Sequence, residues 1–257
     1  MPGVEIPESI RSPDVGAGGF LITPPDPYRY DGNHDFDPWE VSGMIAGTVP
    51  RGARVIDVGC GTGALSVLLR DNRAASVVGV EPDQDRAALA AERGIEVHAS
   101  TLAGLTPESL GQFDVAIYAD VLEHLPDPLT ELKTVAPFVK SDGIVIVSVP
   151  NVAHWSVRFD LLRGRFRYAR FGIMDATHLR WFTEETIRQV MDQAGLDVVS
   201  VQQTAGTMLL CYRETGLAKI PEASRSRMVR RLSGWFPRLF GCQHIVVGRF
   251  RARAAVA

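Results

Sequence analysis

The residues from position 57 to 63 carry the clearest chemical pattern in this chain. Asp57 is followed by glycines at three alternating positions, Gly59, Gly61 and Gly63. Glycine lets the backbone turn sharply and lets a ligand lie against it. The apolar-periodic stretch that follows predicts a helix, whose free N–H groups and positive dipole end would face the same space. The pattern therefore predicts a strand, a tight loop and a helix that bind a cofactor with an anionic group.

Two other kinds of glycine-rich loop fit this stretch less well. A dinucleotide-binding loop has the spacing Gly-x-Gly-x-x-Gly, which is one residue longer than the spacing here. A triphosphate-binding loop requires Gly-Lys-Ser/Thr, whereas Gly61 is followed by Thr62, Gly63 and Ala64. The sequence therefore argues against a nucleoside triphosphate as the ligand.

A second acid follows the next predicted strand. Glu81 comes directly after an apolar run at residues 76–80 and lies 22 residues beyond Gly59. A carboxylate at the end of a second strand can accept hydrogen bonds from both hydroxyls of a ribose, as in dinucleotide-binding folds. The alternative is a solvated acid that precedes the turn at Pro82 and Asp83.

A third and a fourth segment extend the pattern. Residues 120–128 (Asp-Val-Leu-Glu-His-Leu-Pro-Asp-Pro) follow a predicted strand at 113–118, and an apolar run at 144–150 fits a strand covered on both sides. With the loop and Glu81, these segments resemble the class I S-adenosylmethionine-dependent methyltransferases over residues 38–203. The resemblance implies an α/β fold: a Rossmann-like, seven-stranded, mostly parallel sheet with helices on both faces and a lid insertion after strand five.

The same resemblance implies S-adenosylmethionine as the cofactor. In this family the glycine loop surrounds the methionine part and the acid after strand two holds the ribose. Many relatives place an acid after strand three that contacts the adenine, but residues 99–102 here are Ala-Ser-Thr-Leu, so Ser100 or a backbone amide is expected to replace it. The expected cofactor-binding residues are Asp57, Gly59, Cys60, Gly61, Gly63, Glu81, Ser100 and Asp120.

Two histidines after strand five are the candidates for acid–base chemistry. Transfer of a methyl group from a sulfonium to a hydroxyl requires positioning and removal of the hydroxyl proton. His154 and His178 both lie within residues 151–182, and Asp175 precedes His178 by three residues. The sequence predicts His154 as the general base, with Asp175 and His178 as its partners or as substrate ligands. The alternative for each histidine is a structural side chain that bonds loop carbonyls.

A possible metal site follows the predicted strand at 113–118, at Asp120, Glu123 and His124. Positions i, i+3 and i+4 place three potential ligands on one helical face. Some relatives, such as the small-RNA methyltransferases with Glu-x-x-Glu-His, bind a divalent ion there. The alternative is a capping-box-like helix start, and hard ions prefer more carboxylates than the two present here. The prediction is therefore that no metal is bound.

The rest of the sequence predicts the elements that position these residues. Residues 1–33 are rich in proline and glycine and predict a partly disordered N-terminal arm, and the methyltransferase-like domain is expected over 34–257. The first helix is expected to start near Pro38. Further helices at 64–70, 84–93 and 128–138 alternate with strands, as in a parallel sheet. Residues 151–182 are the predicted substrate lid, and residues 205–257 hold a basic helix and a closing strand.

The charge is distributed unevenly along the chain. Residues 205–257 contain ten Lys or Arg and two Glu, a net charge of +8, whereas the whole chain carries −3. Such a segment suits a contact with nucleic acid, with acidic lipid headgroups at a membrane surface or with an anionic substrate, and the alternative is a solvated helix face. No nucleic-acid-binding module is recognisable, so no nucleic-acid partner is predicted.

Composition limits the class and the compartment. At 257 residues and 46% hydrophobic content, the chain can bury a sizeable core. Its three cysteines are widely separated, without a Cys-x-x-Cys pair, which indicates a reducing compartment. Neither a leader pattern nor an apolar stretch near 18 residues is found. We therefore expect a cytoplasmic location without a transmembrane segment.

Two resemblances compete for the acceptor. Residues 175–183 (Asp-Ala-Thr-His-Leu-Arg-Trp-Phe-Thr) resemble bacterial methyltransferases associated with glycan or glycolipid synthesis, which implies O-methylation of a hydroxyl on a sugar, glycolipid or other small metabolite. Residues 147–151 (Val-Ser-Val-Pro-Asn), with His154, Trp155 and Arg158, are similar to the methionine-biosynthesis W proteins. That second resemblance implies a partner module of an acyltransferase. The intact loop and Glu81 favour the enzyme, and the oligomeric state stays open.

Overall fold

The computed structural model describes residues 37–73, 75–213 and 215–251. The predicted N-terminal arm at residues 1–33 lies outside these ranges, as do the last six residues.

Seven strands in the described part of the chain form one sheet. They are β1 Arg54–Val58, β2 Ser76–Val80, β3 Glu96–His98, β4 Phe113–Ala119, β5 Val139–Pro150, β6 Leu196–Gln203 and β7 Gln243–Phe250. Their order across the sheet is β3-β2-β1-β4-β5-β7-β6. β1 to β5 run parallel, and β7 runs antiparallel to β5 and β6. This arrangement confirms the predicted fold.

Helices alternate with the first strands and then become more frequent. They are α1 Val41–Thr48, α2 Ala64–Arg73, α3 Gln84–Glu92, α4 Pro107–Leu110, α5 Pro128–Thr134, α6 Trp155–Leu162, α7 Glu184–Gln193, α8 Leu210–Arg213, α9 Glu222–Trp235 and α10 Pro237–Phe240. Short 3-10 turns cover Leu102–Gly104, Leu122–His124, Ala136–Phe138 and Gly216–Lys219. The turn at Leu122–His124 follows β4 directly and takes part in the site described below.

The core lies on both faces of the sheet because successive strand side chains point to opposite sides. In β4, Ala116 and Tyr118 belong to a cluster that includes residues of α5 and α7. Val115 and Ile117 belong to a second cluster that includes residues of α1 and α2. All four β4 side chains are fully buried. The middle of β4 is therefore apolar on both faces, and Asp120 directly follows its carboxyl end.

Several element boundaries differ from the prediction. The first helix begins at Val41 instead of near Pro38, because Asp37 accepts a hydrogen bond from the N–H of Trp39 and holds a turn there. The helix predicted over 128–138 ends at Thr134. The ring of Pro137 disfavours helical backbone just before it and removes an N–H donor, and the chain continues as a 3-10 turn.

The 151–182 segment, which follows β5, is anchored at its two ends. It contains α6 and then a long irregular stretch that leads to α7. The N–H of Val152 donates to the carbonyl of Phe182 at 2.9 Å, which ties the end of the segment to its beginning. Leu179 and Arg180 both donate backbone hydrogen bonds to the carbonyl of Glu123, at 2.7 and 3.0 Å. The segment is thus held against the carboxyl end of β4.

The basic region predicted at the C-terminal end contains α9. Arg227, Arg231 and Trp235 are exposed at successive i+4 positions of this helix, with Met228 and Leu232 half-buried beside them. Among the described residues, no helix has both the length and the apolar character needed to cross a membrane.

Candidate active site

The loop between β1 and α2 has the backbone that its glycines predict. Gly59, Gly61 and Gly63 all have positive φ, at 72°, 55° and 79°. A Cβ at Gly59 would lie 2.6 Å from a methyl of Val121, and one at Gly63 would lie 3.0 Å from Ala90. A Cβ at Gly61 would meet nothing within 4 Å. The first and third glycines are therefore required by packing, whereas the middle one borders open space that a ligand can fill.

Glu81 lies against this loop. Its Oε2 accepts a hydrogen bond from the N–H of Gly61 at 2.9 Å, and its Oε1 accepts one from the N–H of Asp83 at 3.0 Å. Each carboxylate oxygen has a second lone pair with which it can accept a ribose hydroxyl. The loop and Glu81 therefore fit the nucleoside that the resemblance implies.

Asp57 and Cys60 face the interior. Asp57 is buried and accepts a hydrogen bond from the hydroxyl of Ser66 at 2.7 Å. Burial raises the pKa of Asp57 to about 6, and the nearby Glu81 adds to the rise against the opposing hydrogen bond from Ser66. The thiol of Cys60 packs against Gly79 of β2, so Cys60 offers the loop side only its backbone.

Asp120 stands at the end of β4 in a strained conformation. Its φ of 56° is positive although it is not a glycine, and such strain persists only where the surroundings hold it. The hydroxyl of Ser148 accepts from the N–H of Asp120 at 2.9 Å and donates to its Oδ1 at 2.6 Å. Ser148, which sequence reasoning missed, therefore fixes this carboxylate at the carboxyl edge of the sheet.

Ser100 follows β3 and is half-buried. Its hydroxyl donates to the carbonyl of Thr101 at 3.0 Å, and its N–H donates to the carbonyl of His98 at 2.9 Å. Its predicted contact with adenine stays a prediction.

The side chain of His154 is held inside the fold by contacts to both of its ring nitrogens. It is fully buried and caps the N-terminus of α6, where its Nδ1 accepts from the N–H of Ser156 and contacts the Ser156 hydroxyl at 2.8 Å. Its Nε2 lies 3.1 Å from the hydroxyl of Tyr212. Burial lowers the pKa of His154 to about 4. Both ring nitrogens of His154 therefore have partners within the fold, and this geometry does not support its predicted role as general base. That role stays a prediction, which the variant His154→Ala tests.

Asp175 and His178 form no direct relay through Nδ1 of the histidine. Instead, Nδ1 of His178 lies 3.3 Å from the carbonyl of Ile173. Asp175 accepts from both the N–H and the hydroxyl of Thr177, at 2.8 and 2.7 Å. Thr177 in turn contacts Nδ1 of His124 through its hydroxyl and its carbonyl, both at 3.3 Å. Asp175 therefore positions His124 through Thr177, a link that the sequence did not reveal.

Glu123 is the least satisfied group at this edge of the sheet. Its side chain is 1% exposed, and neither carboxylate oxygen has a hydrogen-bond partner among the described residues. Burial raises the pKa of Glu123 well above its usual value, and the negative charges of Asp120 and Asp175 raise it further.

The structure gathers Glu123, His124 and His178 into one cluster. One potential ligand atom from each lies within 4.8 Å of the others, and the two imidazole rings are 4.9 Å apart between centroids. The sequence placed Glu123 and His124 with Asp120 and missed the approach of His178. No local sequence pattern indicated this approach, because it depends on hydrogen bonds between the turn after β4 and the distant 151–182 segment. We call Glu123, His124 and His178 the carboxylate–histidine cluster.

A family model described as a methyltransferase domain matches residues 44–201. A ubiquinone biosynthesis O-methyltransferase of Pseudomonas aeruginosa is 34% identical over 124 residues, which are 46% of this chain and 53% of that protein. The chain thus spans about half the length of this curated relative.

Two solved structures share the fold. One is a methyltransferase of Thermotoga maritima, described as a possible histamine N-methyltransferase, with a TM-score of 0.56, 19% identity, and coverage of 85% of this chain and 91% of the other. The second is the 1,6-didemethyltoxoflavin-N1-methyltransferase of Burkholderia thailandensis with bound 1,6-didemethyltoxoflavin and S-adenosylhomocysteine. It has a TM-score of 0.51, 19% identity, and coverage of 86% and 80%.

The family match spans more than half of the chain, and the strand order of the sheet is that of the class I methyltransferase fold. This chain belongs to the class I S-adenosylmethionine-dependent methyltransferase family.

Proposed function

We propose that this chain is an S-adenosylmethionine-dependent O-methyltransferase that acts on a hydroxyl group of a small metabolite. The observation that supports this most is the carboxylate–histidine cluster next to Asp120, at the same edge of the sheet as the glycine loop. A hydroxyl acceptor must lose its proton, whereas an amine attacks through a lone pair that it already has. Imidazole and carboxylate groups at the acceptor side suit the first task.

The name of the Pseudomonas relative is compatible with a hydroxyl acceptor. That name does not support the sugar acceptor predicted from residues 175–183, so we do not assign a sugar. An acceptor with an apolar body suits an aromatic group of the 151–182 segment instead. Phe166, Tyr168 and Trp181 form mutual ring contacts in that segment, with centroids 5.5 to 6.4 Å apart, and Phe166 and Tyr168 are nearly half exposed.

In the proposed reaction, one group of residues binds the cofactor and a second group faces the acceptor. When bound, S-adenosylmethionine supplies a methyl group on a cationic sulfur with a neutral leaving group. Glu81 and the amides of the glycine loop would hold the nucleoside and the amino-acid part, and Asp57 would place a carboxylate beneath the loop. The carboxylate–histidine cluster would face the acceptor hydroxyl and promote the loss of its proton. The 151–182 segment would cover the acceptor, because its end is bonded to Glu123.

The basic helix fits an apolar acceptor that is delivered from a membrane. Arg227 and Arg231 are exposed on the same side of α9 as Trp235, which is 73% exposed. Arginines beside an exposed indole suit the headgroup layer of an anionic bilayer. Peripheral membrane contact through α9 is therefore part of the proposal.

Turnover of a panel of acceptors tests the proposed function. The full chain is incubated with S-adenosylmethionine and with phenols, apolar alcohols, sugars or amines, and S-adenosylhomocysteine is measured. We expect release of S-adenosylhomocysteine with hydroxyl acceptors and without any added acyltransferase. Tight cofactor binding with turnover only after addition of an acyltransferase would favour the partner-module alternative. Turnover of amines alone would overturn the hydroxyl assignment.

A further inference from the structure

Glu123 presents a buried acid that lacks a partner. It lies in the turn Leu122–His124 directly after β4 and is 1% exposed, with both oxygens unbonded among the described residues. Burial of a carboxylate without compensation is costly, and buried polar groups are almost always hydrogen-bonded. Such an exception calls for a missing partner, and a carboxylate is an acceptor of protons or of cations.

Two imidazoles adjoin this acid, and their contacts indicate which ring nitrogen carries the proton. Nδ1 of His178 lies 3.3 Å from the carbonyl of Ile173, and Nδ1 of His124 lies 3.3 Å from the carbonyl of Thr177. Because a carbonyl oxygen only accepts hydrogen bonds, these contacts place the ring proton on Nδ1. In the neutral ring, the lone pair is then on Nε2. Metal-binding histidines are characteristically held by a hydrogen bond of this kind from the other ring nitrogen.

The outer contacts hold these rings in position. Asp175 accepts from the hydroxyl of Thr177 at 2.7 Å, and that hydroxyl oxygen contacts Nδ1 of His124. The carbonyl of Glu123 accepts from Leu179 and Arg180, directly after His178. The turn after β4 and the 151–182 segment are thereby fixed to each other. One potential ligand atom of each of Glu123, His124 and His178 lies within 4.8 Å of the others.

We propose that Glu123, His124 and His178 bind a divalent transition-metal ion such as Zn²⁺ or Mn²⁺ and leave coordination positions open for the acceptor. The inference rests on the proposed function for what the ion does, but not for its binding. One carboxylate and two imidazoles form a ligand set that suits such ions, and three protein ligands are typical of sites with an open position. The sequence predicted that no metal is bound, because Asp120, Glu123 and His124 offer only two carboxylates and one histidine. With His178 the ligand set has two imidazoles and one carboxylate, which suits a transition-metal ion better than Mg²⁺ or Ca²⁺.

The ion would assist the transfer by binding the acceptor oxygen. Coordination lowers the pKa of a bound hydroxyl. The O–H bond breaks and its proton passes to water, and the oxygen lone pair forms the new bond to the methyl carbon. The C–S bond breaks with its electron pair kept by sulfur, which becomes a neutral thioether.

Metal binding is measured directly, apart from turnover. The full chain is stripped with EDTA, dialysed and titrated with ZnCl₂ and with MnCl₂ by calorimetry, and CoCl₂ is added separately to record visible absorption. We expect one equivalent to bind, and Co²⁺ to give visible bands of a low-coordinate site. Glu123→Gln and His178→Gln should each weaken binding by about 10- to 100-fold or more. The matched controls Glu108→Gln, on exposed α4, and His98→Gln, on β3, should bind as the unaltered chain does.

Circular dichroism and affinity for S-adenosylhomocysteine show that each variant is folded. If a folded Glu123→Gln variant cannot be obtained, His178→Gln decides alone. Failure of the unaltered chain to bind these ions, or binding that the cluster variants leave unchanged, overturns the inference. Full methyl transfer by metal-free protein would refute the role of the ion and leave the proposed function intact. A metal-loaded protein that methylates no hydroxyl acceptor would instead refute the proposed function.

Discussion

The cofactor side and the acceptor side of this molecule are built in contrasting ways. On the cofactor side, the polar groups already have partners within the chain: Ser66 bonds Asp57, and two backbone amides bond Glu81. On the acceptor side, Glu123 is buried with neither oxygen bonded among the described residues, and two imidazoles adjoin it. The first side is stable without its ligand, whereas the second is electrostatically incomplete without one.

The two sides also differ in which atoms do the binding. The cofactor side presents backbone amides of a glycine loop in one continuous stretch. The acceptor side presents side chains from the turn after β4 and from the 151–182 segment. Variants that affect only one side therefore show whether the division is real.

The largest effect is expected at His178. His178→Gln should lower turnover by about 10² to 10⁴-fold, because it disrupts the cluster that promotes loss of the acceptor proton, while affinity for S-adenosylhomocysteine stays unchanged. His154→Ala is the comparison. It removes a helix cap and a contact with Tyr212, so it should lower the free energy of unfolding by about 1–3 kcal/mol and leave the turnover of folded protein intact. The reverse outcome would restore His154 as the base.

The next effect concerns the middle glycine of the loop. Gly61→Ala adds a methyl group in open space where a ligand would lie, at a positive φ that costs about 1–2 kcal/mol. We expect affinity for S-adenosylhomocysteine to fall by more than tenfold in calorimetry, with metal binding unchanged. Gly47→Ala in α1, where an added Cβ also meets nothing, is the control and should bind normally. Normal binding by Gly61→Ala would place the cofactor elsewhere.

Asp57 gives the cofactor side a distinctive pH dependence. Its pKa is raised from 3.8 to about 6 in the folded protein, so between these values the folded state binds more protons than the unfolded state. Its contribution to stability is therefore complete below pH 4 and is lost as the pH rises through 6, by about 3 kcal/mol. Asp57→Asn should lack this slope. Urea unfolding of both proteins across this window measures the difference, and parallel pH profiles would contradict the assignment.

The smallest effect lies outside both sides, on α9. The double variant Arg227→Glu, Arg231→Glu should bind vesicles that contain anionic phosphatidylserine with an affinity lower by about tenfold or more, as measured by sedimentation. The reason is that each arginine near such a surface contributes roughly 1 kcal/mol. Binding to phosphatidylcholine vesicles should be weak for both proteins. Equal binding of the variant and the unaltered chain to anionic vesicles would exclude α9 as the contact.

The two sides differ in how much of them the sequence predicted. The parallel α/β sheet and the tight turn of the glycine loop were predictable, because alternating strands and helices and the glycine spacing are visible in local sequence. The start of α1 was missed by three residues, because the side-chain turn at Asp37 precedes it.

The acceptor side was harder to predict because its contacts join distant segments. Neither periodicity nor spacing places His178 beside Glu123, 55 residues earlier, since the carbonyl of Glu123 fixes that approach through Leu179 and Arg180. His154 resembled a catalytic residue in the sequence, yet its nitrogens cap a helix and contact Tyr212. A histidine's role depends on which atoms surround it in three dimensions, and the linear pattern does not contain that information.

Transfer of a labelled methyl group tests the central claim most directly. The full chain is incubated with S-adenosylmethionine that carries a trideuterated methyl group and with an apolar phenol, and tandem mass spectrometry locates the label in the product. We expect the label on the hydroxyl oxygen, and its loss in His178→Gln while S-adenosylhomocysteine still binds. Absence of labelled product across the acceptor panel, or a label on nitrogen, would contradict this account.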